Sequence, residues 1–514
     1  MIRRRTLLKT IALTPLLKWS TALSNEENSN NVHVSSLDEL RKTIPFKEGE
    51  LITLTSLSPN NPKGGGIFIA INNNKNLPDD NGSFINTSCT LSWKRLECIR
   101  KTKKPEWYGC LGDGISDDSI PFKNMLNSLQ DGDSIILSKD SNYFNNLPTQ
   151  DSRWIVNKNN ITIIGNNAVL SRRGTSLHTK SLDGANLATL KISNVNNFRI
   201  KGKLLITANE TNMPLVDKKN NIVSRKTYPR AYVSSHGLFL EKVKEAYLPE
   251  TLTCSNAVFP CYILECENID IAGKYNNSGQ VYPVSGADLQ LGSGIKVAKT
   301  NNFSINITSA DCAYCGCEIE PYSTNGNVNV IASNSYQHGC IIHRDGYNIK
   351  INLLAENALG AGLKISAGSK NINGIIHSNK CMYGCIIISE HSDICEDLNI
   401  KLYTRDIIKS DLVAKNVNEN YPSMRNAVFS ITNASSNENP NLLENNMMSE
   451  KAPSSQLGEI DNAQNCNISW SSLKQNKDIL IKNSSNCTIT LVDAKKIKYK
   501  ILEKNNTGTN IEYK

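Results

Sequence analysis

The sequence predicts an all-β chain: a right-handed parallel β-helix with three short strands per coil, a repeat of about 23 residues, and a short capping helix at its N-terminal end. Three observations predict it. Glycine-led apolar segments recur at a nearly fixed interval, asparagines recur with them at the bends, and an amphipathic stretch follows an acidic turn just ahead of the first strand-like run.

Taken in order, residues 1–24 have a basic start, a modest apolar middle and Ala22-Leu23-Ser24 as a small-residue cleavage site. Arg4-Arg5-Thr6-Leu7-Leu8-Lys9 fits the twin-arginine export pattern, so this segment is read as a leader and the mature protein as periplasmic or secreted. Removing it takes away five basic residues and no acid, which lowers the formal charge from +9 to +4. That charge is too mild to argue for nucleic acid. No apolar run approaches the roughly 20 residues of a membrane span. The 15 cysteines are odd in number and lack a small-domain framework spacing. Cys312-x-x-Cys315-x-Cys317 is half a zinc site with no second pair at finger spacing, so neither a metal nor a cofactor is implied.

The stretch LGDGISDDSIPF, Leu111 to Phe122, invites a reading as a metal loop. A structural reading accounts for it better. Phe122, Met125, Leu126 and Leu129 form one apolar helical face, and Asp117, Asp118 and Ser119 stand where a helix needs capping. A β-helix has an apolar end and an unpaired first coil, so residues 105–131 are read as its lid.

The β-helix is expected over 132–514. "GIKVAK", "GCEIEP", "GCIIHR", "GLKISA" and "GCIIIS" begin at Gly294, Gly316, Gly339, Gly362 and Gly384, separated by 22, 23, 23 and 22 residues. After each glycine the first and third residues point inward, Ile295, Cys317, Cys340, Leu363 and Cys385 in one column and Val297, Ile319, Ile342, Ile365 and Ile387 in the other. The cysteines of that column act as small hydrophobes. Asp311, Asn334, Asn357 and Asn379 precede four of the glycines by five residues, and a further series starts at Asn302, Asn327, Asn348, Asn371 and Asp397. Asparagine tolerates the left-handed backbone of a tight bend. The period breaks over about 207–260, read as a long insertion, and over about 434–461, read as a loop.

The residues Gly112, Asp113, Gly114, Asp117 and Asp118, with the helix and "GDSIIL" after them, resemble the start of the pectate-lyase-like β-helix domain of phage tailspikes and bacterial polysaccharide-degrading enzymes. Upstream, Gly64 to Gly66, Asp79 to Gly82 and Trp93 to Leu96 resemble the small head module that precedes such a domain, placing that module at 25–104. The resemblance implies the fold, a polysaccharide partner and a homotrimer, although no heptad pattern appears. It does not fix the chemistry, because such folds host several activities.

The outward positions of the glycine-led strands form a ladder suited to an extended glycan. Glu318 and Glu320 stand two apart on one face, with a spacing expected to reach the ~5–9.5 Å of glycoside hydrolase carboxylates. His343 lies one coil further on, followed by Arg344 and Asp345. Glu318, Glu320, His343 and Asp345 are the catalytic candidates, and Arg344, Lys296, Lys364 and Tyr322 the substrate-binding ones. Glu390, His391 and Asp393 make a second, weaker cluster. His236, His338 and His377 are read as structural or surface residues, and Tyr228, Tyr232, Tyr247 and Phe259 as residues able to stack on sugar rings. The expected function is that of an exported polysaccharide hydrolase or lyase acting on a bacterial surface or pectin-like polymer. The alternative is a non-catalytic glycan-binding protein of exopolysaccharide or capsule assembly. In a hydrolase one glutamate protonates the leaving oxygen and the other activates water or attacks the sugar. In a lyase His343 abstracts a uronate proton and Arg344 offsets its carboxylate.

Overall fold

A computed structural model describes residues 32–58, 61–74, 77–146, 153–174, 187–216, 222–231, 235–281, 290–434, 457–472, 478–492 and 500–514. The leader at 1–24 and most of the expected loop, 435–456, lie outside the described residues. Among the described residues, no helix is long and apolar enough to cross a membrane.

The chain divides into two compact units. The smaller holds a five-stranded sheet in the order Val32–Val34, Leu51–Leu54, Gly66–Asn72, Leu91–Arg95, Phe84–Asn86. Trp93 is buried in its core, and its indole nitrogen donates to the Thr43 carbonyl at 2.8 Å. Arg95 is equally buried. Its guanidinium donates to the carbonyls of Gly64 and Gly65 at 2.8 and 2.9 Å and lies over Phe68. The glycines that mark this segment in the sequence are thus the acceptors of a buried arginine. The Cβ of any other residue at Gly65 would meet the Thr55 carbonyl oxygen at 2.4 Å.

The larger unit is a parallel β-helix, in which each coil adds one strand to a 13-stranded sheet and one or two to a 21-stranded sheet. Its register bears out both inward columns. Ile295, Cys317, Cys340, Leu363 and Cys385 pair in succession, as do Val297, Ile319, Ile342, Ile365 and Ile387, and all ten are fully buried. The glycines that lead these strands are stacked, since a Cβ at Gly294, Gly316, Gly339 or Gly362 would meet the carbonyl oxygen of the next glycine within 3.0 Å.

Early coils have three separate strands, as in Ile161–Ile164, Ala168–Arg172 and Leu187–Ser193. In the central block two of the three sides run on as one ten-residue strand, such as Thr324–Ser333 or Tyr347–Glu356, bent at a left-handed residue near its start. That residue is asparagine at 302, 325, 348 and 371, and Asn348 donates to Asn325 at 2.6 Å and Asn371 to Asn348 at 3.1 Å. The expected series therefore needs one correction: Asn325 occupies the bend, whereas Asn327 pairs with Ser304 and Lys350 within the strands. In the other column Asp311, Asn334 and Asn357 are left-handed as expected, but the fourth place belongs to Lys380, and Asn379 pairs within the sheet.

The insertion is shorter than the period suggested. Ser235–Glu241, Ala246–Leu248, Leu252–Ala257 and Phe259–Leu264 are all coil strands. What leaves the stack is the hairpin Thr211–Val216 and Ile222–Ala231, which joins Gln280–Val281 and Gln290–Leu291 in a four-stranded sheet. Likewise Gly458–Asp461, at the end of the expected loop, is a strand of the 13-stranded sheet.

The helix Ser119–Asn127 buries Phe122, Met125 and Leu126, with Phe122 stacked on Trp154 at 4.1 Å between ring centroids. Trp154 leads into Ile155–Val156, the first strand of the 13-stranded sheet, so the helix stands where that sheet begins. The acidic turn is structural. Asp118 accepts from the backbone N–H groups of Leu111, Gly112 and Phe144 and makes no cap bond, whereas Asp117 accepts from the Ser119 backbone N–H at 3.0 Å.

Candidate functional site

The 13-stranded sheet carries the candidate residues on its outer face because strand alternation puts every second side chain outside. Lys296, Glu318, Ile341 and Lys364 are in register on successive strands. Glu320 and His343 follow two residues after Glu318 and Ile341, at the strand ends. Their backbones continue the stack, with Glu320 N–H donating to Val297 and His343 N–H to Ile319, each at 2.7 Å.

Lys296 is the hub. Its Nζ lies 3.4 Å from Glu318 and 3.1 Å from Glu320. The second Glu318 oxygen accepts from the Ser293 hydroxyl at 2.6 Å. Both carboxyls thus reach one ammonium, and each acts on the ionisation of the other. Two carboxyls gathered at one ammonium resist ionising together, so one keeps its proton.

The proton goes to the buried partner. Burial pushes the Glu318 carboxyl up to about 8, with Lys296 opposing and Glu320 reinforcing the shift. Burial also disfavours the Glu320 charge, but the hydrogen bond from Glu318 and the Lys296 ammonium outweigh it and hold Glu320 below the usual carboxylate range. For Lys296 burial opposes the charge, and the two glutamates overcome it and raise its pKa. The side chain of Glu318 is 6% exposed, against 21% for Glu320 and for Lys296, so the ionised carboxylate is the one nearer solvent.

His343 stands beside Glu320. Burial depresses its pKa, with Glu320 pulling the other way and Lys364 and Arg344 adding to the depression, so the imidazole is neutral at neutral pH. Its buried Nδ1 has no hydrogen-bond partner. Arg344 turns away, its guanidinium donating to Glu390 at 2.6 Å. Asp345 and Tyr322 are left-handed bend residues at 23-residue spacing with Lys299, Gly368 and His391, and Tyr322 is exposed. The structure thus gathers Lys296, Glu318, Glu320 and His343, with Lys364 beside the histidine, and leaves Arg344, Asp345 and Tyr322 at the bend.

Aromatic residues adjoin this cluster. Phe239 and Tyr262 stack at 5.3 Å, Phe259 and His236 pack against them, and the Lys296 ammonium lies 5.4 Å from the Phe259 ring. Tyr314 feels both glutamates, and burial raises its phenol first and they add to it. Of the four expected stacking aromatics, Phe259 reaches the cluster, Tyr247 is exposed elsewhere, and the side chain of Tyr228 and all of Tyr232 lie outside the described residues. His338 is structural, its Nδ1 accepting from the Ala361 N–H at 2.9 Å. Among the described residues, no three His, Cys, Asp or Glu side chains are grouped as metal ligands.

The family described as phage tail protein small four-stranded beta-sheet domain matches residues 33–98. No curated protein matches the chain. Among solved structures, the enzymatically active domain of bacteriophage CBA120 tailspike protein 2 is similar at 15% identity, covering 91% of this chain and 60% of that one, with a TM-score of 0.46. The family 28 exopolygalacturonase of Yersinia enterocolitica is similar at 10% identity, covering 92% and 85%, with a TM-score of 0.40. Pantoea stewartii WceF, a glycan biofilm modifying enzyme with a tailspike-like parallel β-helix fold, is similar at 14% identity, covering 78% and 47%, with a TM-score of 0.29. The chain spans about 60% of the length of the first of these and under half of the last.

Proposed function

We propose that the protein is a polysaccharide-active enzyme that hydrolyses glycosidic bonds at the Glu318–Glu320 pair. One observation carries this reading: two carboxyls, Glu318 pushed toward its protonated form and Glu320 toward its ionised form, share a single lysine on the outer face of a β-helix sheet. Ionised Glu320, the more open of the two, takes a proton from water, and Glu318 supplies the proton that the leaving oxygen needs. Lys296 holds the negative charge of the pair in place and moves it little between the two states. The aromatic group at Phe239, Phe259 and Tyr262 flanks the carboxylates along the direction in which a glycan would lie. Polysaccharide-active proteins among the similar folds agree with this substrate class and with an extracellular or surface site of action.

The lyase reading is weaker on geometry. Neutral His343 suits a base, but Arg344, which would offset the uronate carboxylate, is engaged by Glu390. Incubation with a panel of capsular, pectic and neutral polymers tests the proposal. New reducing ends that disappear in E318Q and E320Q support hydrolysis. Products carrying the ultraviolet absorbance of an unsaturated uronate would assign a lyase, and retention on a polymer without any shortening would assign a binding protein.

A further inference from the structure

The long strands carry a second groove, on the sheet that does not bear the glutamates. Asn306, Asn329 and Asn352 stand in register as one outward row. The next row, two residues on, is Thr308, Ile331, Leu354, His377 and Tyr403. Asn352 donates to Asn329 at 2.9 Å, which aligns the amides along the coil axis. Ile331 is 51%, Leu354 44% and Tyr403 41% exposed, and Ile375, in register with Asn352, is 42% exposed. The His377 ring lies flat on Tyr403, at 4.7 Å and 10°. The concavity along these rows measures about 590 Å³, and its charged lining residues, Glu250 and Lys274, cancel. That volume falls within the range of roughly 300–1,000 Å³ typical of ligand sites.

Sheet formation does not require the apolar row. On the same strands the outward row two residues before the asparagines is Ser304, Asn327, Lys350 and Asn373, polar throughout. Contiguous exposed apolar side chains beside an ordered polar row mark an interaction surface. From Asn306 to Ile375 and from Thr308 to Leu354 the two rows repeat every ~4.8 Å without a charged side chain, and Lys274 and Lys401 stand only at their ends. A partner that matches this stretch is long, uncharged, hydroxyl-bearing along one edge and apolar on one face.

We propose that this face is a binding groove for a neutral polysaccharide segment lying along the coil axis. Ring hydroxyls meet the asparagine amides, and the C–H faces of the sugars rest on Ile331, Leu354 and the His377–Tyr403 stack. The groove holds polymer and breaks no bond, so it goes beyond the proposed hydrolysis and shares with it only the class of ligand.

The test is affinity electrophoresis of the full chain in gels containing dextran, hydroxyethyl cellulose or galactomannan, with polygalacturonate as the acidic control. The variants are I331T/L354T and Y403A in the groove and E320Q at the other site, with thermal melts to confirm folding. The expected result is retardation of wild type and E320Q alike by at least one neutral polymer, weakened about tenfold or more in the groove variants. Reducing-end release from short soluble substrates stays unchanged in those variants. No retardation by any of the three neutral polymers overturns the proposal, as does retardation that the groove substitutions leave intact. Groove variants that change the sedimentation coefficient but not the retardation would assign the stripe to a second copy of the chain and equally overturn it. Loss of cleavage in E320Q with retention intact bears on the hydrolysis reading alone.

Discussion

Glu318 and Glu320 share the Lys296 ammonium, at 3.4 and 3.1 Å, and their pKa values are driven apart, Glu318 upward by burial and Glu320 downward. Such a pair sets both limbs of a pH profile. kcat/KM is expected to fall above about pH 8, as Glu318 loses its proton, and again in acid, as Glu320 gains one. E320Q should lower kcat/KM by about 100-fold or more at every pH, and E318Q should remove the alkaline limb along with most activity. Initial rates between pH 4 and 10 (roughly the span of both limbs) check this. A wild-type profile flat through the region of Glu318 ionisation would show that its proton is not used.

The same burial has a consequence for stability. The folded pKa of Glu318, about 8, lies above its ordinary 4.5, so between these values the folded chain holds a proton that the unfolded chain has lost. The contribution of this group is full below pH 4.5 and is lost as the pH rises through 8. The Tm of E318Q relative to wild type should therefore increase steadily across that window. A constant difference between the two proteins would mean that Glu318 titrates normally.

Lys296→Met removes the cation shared by both carboxyls. The variant should lose about 3–5 kcal/mol at pH 8, since breaking a buried ion pair strands its partner. The loss should shrink at pH 5, where protonation relieves the stranded charge. Its acid limb should move upward, because the ammonium that helps to hold Glu320 ionised is gone. Urea unfolding at the two pH values, with rate profiles on the same protein, separates these effects.

The columns through Cys317, Cys340 and Cys385 were legible because coil length is almost constant there, so equal spacing in sequence becomes stacking in space. Glu318, Glu320 and His343 were found for the same reason, as outward positions of adjacent strands. The bend at Asn325 rather than Asn327 marks the limit of what a repeat encodes. Both asparagines precede alternating residues, and a shift of two preserves the inside–outside pattern, so periodicity cannot choose between them. Ser293 and Tyr262 were missed because they come from coils interrupted by the four-stranded sheet, where no period exists to align them. The orientation of Arg344 depends on the rotamer of a long exposed side chain, which spacing does not encode.

Asn348 combines two roles that substitution can separate. It is left-handed at φ 56° and links Asn325 to Asn371 through its amide. Asn348→Ala should lose both roles, at a cost of about 1–2 kcal/mol for the backbone and roughly 1 more for the hydrogen bonds. Asn348→Gly keeps the backbone and should lose only the second part. Urea midpoints of the two variants check the order, and equal losses would mean that the ladder, not the bend, is what asparagine supplies.

Phe122 stacks on Trp154 at the start of the 13-stranded sheet, and Trp154 in turn donates its indole N–H to the Ser119 carbonyl at 3.1 Å. The helix is therefore anchored to the first coil from both ends of this pair. Phe122→Ala should cost about 3–5 kcal/mol, the usual range for emptying a buried aromatic site. The effect should not stop at a lower Tm. Loosening the helix bares the edge at Ile155–Val156, and unpaired parallel edges recruit other chains. Light scattering at temperatures below the melt should rise in Phe122→Ala but not in Cys340→Ala, whose cavity lies in mid-stack where no edge is exposed. Equal aggregation of the two at matched stability would show that the helix fills the core without guarding the end.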